Sequence, residues 1–149
     1  MTAVYPDPRV TGSERVVVLC GSRASKPGLA GHLEGPDTEV VALEAPAGPV
    51  NDNYEFHAVR LMKLLQDLAR KRPHHTVVQV VVRSDGDDSL LEGLGGLLRC
   101  AAMEHRTLSC QLVAVDNDDD LAARLAADAA SAREQNTIRY RQGHRLVRA

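Results

Sequence analysis

A chain of 149 residues with 44% hydrophobic content can bury one core and is too short for two independent ones. Eighteen basic against twenty acidic side chains leave a formal charge of -2, and aromatics make up 3%, so there is neither a basic stripe to track a phosphate backbone nor a set of rings for bases to stack on. This argues against nucleic acid, while strand-sized apolar runs and an N-terminus without a charged-then-apolar leader argue against a membrane and predict a soluble, cytoplasmic protein.

Residues 1–14 carry two prolines and little periodicity and read as an N-terminal arm, so the folded domain is expected over 15–149. The β-branched run at 15–20 predicts a strand buried on both faces, as in a parallel sheet. A short helix over 26–33, with Pro27 in its first turn, and a strand over 39–43 follow. Tyr54, Ala58, Leu61, Leu65 and Leu68 recur at helical spacing, and Asp52 with Glu55 resembles a capping box, so a helix is predicted over 54–71. Residues 75–83 are a third strand. Ser89 with Glu92 suggests a second capping box opening a helix to 105, and 108–115 is a fourth strand. Four acids within 116–120 stand before an alanine-rich helix over 121–132, where carboxylates suit the positive end of its dipole. Two extended pieces around Gln142-Gly143 predict a C-terminal hairpin. Strand and helix thus alternate with crossover-length connections, which predicts an α/β fold: a small, truncated Rossmann-like parallel sheet with flanking helices and a closing hairpin.

A dinucleotide needs a glycine-rich turn after the first strand, but Gly21-Ser22-Arg23 has one glycine where three are wanted, and Glu44 is the sole acid for a ribose. Gly93-Leu94-Gly95-Gly96 lies inside a predicted helix, so Gly95 and Gly96 are expected to pack closely on the sheet. A reductase of the short-chain type needs a tyrosine with a lysine one turn on. Here Tyr5 is followed by Arg9, Tyr54 by Ala58 and Tyr140 by His144. His32, His57, His74, His75, His105 and His144 form no metal set and are expected to be solvated or lightly buried. Asp85, Asp87 and Asp88 lack the first-strand acids that would complete a magnesium site. Cys20, Cys100 and Cys110 form no CxxC and read as small buried apolar residues. No catalytic, cofactor-binding or metal-binding residue, and no cofactor, is therefore expected.

The helix Gly93-Leu94-Gly95-Gly96-Leu97-Leu98 with Glu104 near its end, then the strand Gln111-Leu112-Val113, resembles the ketoreductase region of modular polyketide synthases, especially the trans-acyltransferase kind. Tyr54-Glu55-Phe56-His57 leading to Gln79-Val80-Val81-Val82 is similar to the preceding helix and strand. Arg139-Tyr140-Arg141-Gln142-Gly143-His144-Arg145 is similar to the closing hairpin of that region. In that family a truncated structural subdomain precedes a catalytic one that binds NADPH, and the resemblance is wholly to the first. It implies a non-catalytic scaffold, or pseudo-ketoreductase, that positions a neighbouring domain. The implied partners are a catalytic subdomain, an adjacent synthase domain or an acyl carrier protein. Thr137, Arg139, Arg141, Arg145 and Val147 of the closing segment are the implied contact residues. Two alternatives remain: a stand-alone docking module and an unrecognised small-molecule enzyme.

Overall fold

The computed structural model describes residues 15–20, 31, 33–35, 38–43, 50–71, 75–83, 93–117, 120–132 and 136–148. The expected arm, most of the expected 26–33 helix, the Gly21-Ser22-Arg23 turn, Glu44, His32, His74, the Asp85 to Asp88 turn and Ser89 lie outside them. Six strands form one sheet: β1 (Arg15–Cys20), β2 (Thr38–Leu43), β3 (Thr76–Arg83), β4 (Leu108–Val115), β5 (Thr137–Arg141) and β6 (His144–Arg148). Their order is β2-β1-β3-β4-β5-β6, parallel except for the antiparallel β5–β6 hairpin. Among the described residues, three complete helices, α1 (Val50–Lys71), α2 (Leu94–Glu104) and α3 (Leu121–Ala129), stand between successive parallel strands. The Rossmann-like α/β expectation is met.

Side-chain alternation divides the core in two. Val16, Val18, Val78, Val80, Leu112 and Ala114 face α1 and α2, while Val17, Leu19, Val81, Val113 and Val115 face α3. On α1, Leu61, Leu65 and Leu68 are buried, each contributing about 1.5–3 kcal/mol. The exposed Asp67–Arg70 ion pair on the same helix adds a few tenths at most. Burial of one face therefore holds α1 in place. At the hairpin, Gln142 (φ 50) and Gly143 (φ 82) both take left-handed conformations, the geometry of a tight turn whose twist matches its strands.

Two expectations need correction. Helix α1 already runs from Val50, so Asp52 stands within its first turn and not ahead of it as a cap. Helix α2 is described from Leu94, with Gly93 at its N-cap and no side-chain cap there, and the start inferred at Ser89 lies outside the described residues. Helix α3 ends at Ala129, short of the expected 132, with Asp120 at its N-cap and no side-chain cap bond there. Asp116 is used elsewhere: its Oδ2 accepts the Gln142 amide at 2.8 Å and steadies the hairpin turn.

The two α2 glycines also separate. A Cβ on Gly95 would lie 3.4 Å from Leu112 Cδ2 and 3.9 Å from Thr137 Oγ1, whereas a Cβ on Gly96 would meet nothing within 4 Å. Close packing is thus met at Gly95 and corrected at Gly96, which faces outward. Gly95→Leu should cost about 1–3 kcal/mol by overpacking. Gly96→Leu should be neutral or stabilising by up to about 1 kcal/mol, since the helix loses a glycine and nothing obstructs the new side chain. Paired urea denaturation curves check the contrast, and equal midpoints for the two variants would contradict it.

Candidate functional site

The most structured polar site joins α3 to the hairpin. Leu121, Leu125 and Asp128 lie on one face of α3, and Asp128 is 2% exposed. Tyr140 and Arg145, directly opposite one another across the hairpin, both reach it. The Tyr140 hydroxyl donates to Asp128 Oδ2 at 2.6 Å, and Arg145 Nε donates to Oδ1 at 2.9 Å with a second guanidinium nitrogen also at 2.9 Å. The Arg124 guanidinium stacks over the Tyr140 ring at 4.5 Å. A buried carboxylate is tolerable because both oxygens are occupied. The tyrosine and arginine of the hairpin motif are thus the jaws of a clamp on α3.

Beside the clamp a second network crosses the sheet. Arg15 donates to Gln79 Oε1 at 3.1 Å and to Thr38 Oγ1 at 2.9 Å. Gln79 Nε2 donates to Gln111 Oε1 at 2.9 Å and to the Leu125 carbonyl at 2.8 Å; Gln111 Nε2 donates to the Asp128 carbonyl at 3.1 Å. Gln79 and Gln111 are register partners on β3 and β4 and are fully buried. Their amides donate to two carbonyls near the C-terminal end of α3 and so tie it to β3 and β4.

Burial raises the pKa of Tyr140 above 10.0, with the Asp128 carboxylate acting in the same direction, and burial pushes the Cys110 thiol from 9.0 up to about 12. In this setting Tyr140 holds its proton as a structural donor and is a poor general acid. Both groups are neutral in the fold with raised values, so the stability they lend is complete below their unfolded values. It is lost as pH rises through 9.0 for Cys110 and 10.0 for Tyr140 towards the folded values. Urea midpoints should therefore fall between about pH 8 and pH 10.5, by roughly 2 kcal/mol from Cys110 alone. A Cys110→Ala chain whose midpoint falls as steeply as the parent's would contradict that assignment.

The structure brings some anticipated residues together and disperses others. Thr137, Arg139 and Arg141 line a groove of about 490 Å³ with Arg99, Leu146 and Val147, whose floor is Leu112 and Ala114. Arg145 turns away from it, to the opposite sheet face, and holds Asp128. His57, expected to be solvated or lightly buried, is fully buried and donates its Nε2 proton to the Leu43 carbonyl at 2.8 Å. His75 pairs with the Ser109 hydroxyl at 2.7 Å. Cys20 and Cys110 are buried as expected, but Cys100 is exposed because it falls on the outer side of α2. Among the described residues no three His, Cys, Asp or Glu side chains gather as a metal set. No described helix is long and apolar enough to cross a membrane. Asp128 escaped the sequence reasoning, although its spacing from Leu121 and Leu125 placed an acid on an apolar helix face.

No family model matches the chain. It is 26% identical over 140 residues to the polyketide synthase PksN of Bacillus subtilis (strain 168), and 29% identical over 101 residues to PksL of the same strain. A crystal structure of a ketoreductase domain from the bacillaene assembly line superimposes with a TM-score of 0.80 at 26% identity, covering 91% of this chain. The chain is homologous to these polyketide synthases. Its fold is that of part of a ketoreductase domain, as the Gly93 to Gln111 stretch and the hairpin suggested. The matched segments cover 91% and 67% of the ketoreductase-related chain but 2% of each synthase, and 33% of the crystallised ketoreductase chain.

Proposed function

We propose that the chain is the non-catalytic structural subdomain of a polyketide-synthase ketoreductase, occupying 15–149 behind a short arm at 1–14. Its work is to stabilise and position a neighbouring catalytic subdomain. The observation that carries this reading is the partial superposition: nearly the whole chain matches a third of a ketoreductase domain at high structural similarity. Two features support it. No tyrosine in the sequence has a lysine one helical turn on, and the clamp spends Tyr140 on Asp128. Strand β6 is the sheet edge, carries the exposed Leu146 and Val147, and is held rigid by Arg145. An edge strand so held suits pairing with another backbone.

The test is reconstitution. Alone, the chain should bind no NADPH by calorimetry and reduce no β-keto thioester. With the catalytic half of a ketoreductase added in trans, it should form a complex and raise that half's stability and turnover. Turnover by the isolated chain would overturn the proposal. Failure to form the complex would favour docking to another synthase domain or to an acyl carrier protein.

A further inference from the structure

Towards the C-terminal end of α2, away from its glycines, a pocket of about 420 Å³ opens beside the start of β4. Arg99, Ala102 and Met103 of α2 and Arg106 just beyond it form one side, and Arg99, Met103 and Arg106 are exposed at its rim. Leu108, Cys110 and Ala132 wall it and are already buried, so the pocket offers shape and little apolar area to gain. Its selectivity lies in its polar groups. Asn136 lines the pocket, and its Oδ1 is buried with no hydrogen-bond partner, the one such side-chain atom among the described residues. Keeping a buried acceptor without a donor is costly and asks for a reason. Backbone geometry does not supply one, because the positive φ values among the described residues fall at Asp120, Gln142 and Gly143 and not at Asn136. Ser109 and His75 on the same wall are satisfied, being hydrogen-bonded to one another at 2.7 Å.

The rim is the complement of that acceptor. Neither Arg99 nor Arg106 has an ion-pair partner among the described residues, and no described acid lines the pocket beside them. A cleft of this size, with apolar walls and a few placed polar groups, has the usual form of a small-molecule site. We infer that it binds a small amphiphilic carboxylate, whose hydroxyl or amide N–H donates to Asn136 Oδ1, whose hydrocarbon lies against Ala102 and Leu108, and whose carboxylate is held at the arginine rim. The orientation follows from the acceptor, since a carboxylate turned inward would meet Oδ1 with no proton between them. An arginine fork holds a carboxylate through two hydrogen bonds, and a monoanion loses less hydration against apolar walls than a phosphate dianion would. The site is independent of the β6 edge and of the proposed scaffold role.

ω-Hydroxy acids of roughly four to ten carbons are the probes, titrated to about 10 mM into the isotope-labelled whole chain while the amide signals of Ala102, Cys110 and Ala132 are followed. One length should bind with a millimolar or lower Kd. The fatty acid of that length, which lacks the donor, and the diol, which lacks the charge, should each bind about tenfold or more weakly. Asn136→Leu should erase the preference for the hydroxy acid over the fatty acid. Its urea midpoint should equal or exceed the parent's, because the substitution removes an acceptor that has no partner. Arg99→Glu/Arg106→Glu should erase the preference for the acid over the diol. A lower midpoint in Asn136→Leu would give Oδ1 a structural partner and overturn the inference. So would binding by no length, equal shifts with the diol, or the same shifts from inorganic phosphate, which would reduce the rim to non-selective anion binding.

Discussion

Asp128→Ala should cost about 3 kcal/mol, the lower end of the range for removing one member of a buried ion pair. The lower end applies because the Arg145 side chain is 37% exposed and recovers water, whereas Tyr140 is buried and its hydroxyl loses its acceptor. Against a usual total of about 5–15 kcal/mol, that is a large share. Tyr140→Phe should cost less, about 1–2 kcal/mol, since Asp128 keeps Arg145 while one oxygen goes unpaired. The damage should also be local. Hydrogen exchange in β6 should accelerate before that of β3 or β4, because the clamp joins α3 to the hairpin and nothing else. A urea midpoint for Asp128→Ala within the error of the parent's would mean that the hairpin is held by its strand pairing alone.

Elements whose boundaries depend on side-chain pattern were legible in the sequence. Strand β4 spans the expected 108–115, because an apolar run between polar turns has one way to lie in a doubly covered sheet. The hairpin was equally legible, since Gln142-Gly143 supplies two left-handed positions. The start of α3 at Leu121 was legible too, but that of α1 was not. Asp52 fits a local capping pattern, but such a pattern adds only about 1 kcal/mol, and tertiary packing of the apolar face decides where a helix begins. Gly96 was misjudged for a related reason: the repeat of glycines does not say which of them turns inward, and one residue along a helix is a rotation of about 100°. Asp128 was hidden because its partners lie 12 and 17 residues away, at positions that only the hairpin register aligns.

The glutamine pair makes the last expected result a test of cooperativity. Gln79→Leu keeps the volume of the side chain but leaves the buried Gln111 Oε1 without the donor on Gln79, and takes a donor from the Leu125 carbonyl and an acceptor from Arg15. Breaking a hydrogen bond between buried polar groups costs about 1–3 kcal/mol, so a loss of about 2–3 kcal/mol is expected. Adding Gln111→Leu removes the acceptor that lost its donor. The carbonyls left behind are not stranded: Leu125 lies within α3, and the Asp128 carbonyl still accepts the Ser131 amide at 3.0 Å and hydroxyl at 3.1 Å. The double variant should therefore be more stable than Gln79→Leu alone, with a coupling energy of about 1 kcal/mol or more across the cycle. Its residual cost measures what Arg15 loses, and Arg15, partly exposed and still bonded to Thr38, can turn to water. If the two substitutions simply add, then each amide contributes through its own backbone contact, and the bond between Gln79 and Gln111 is not what ties α3 to β3 and β4.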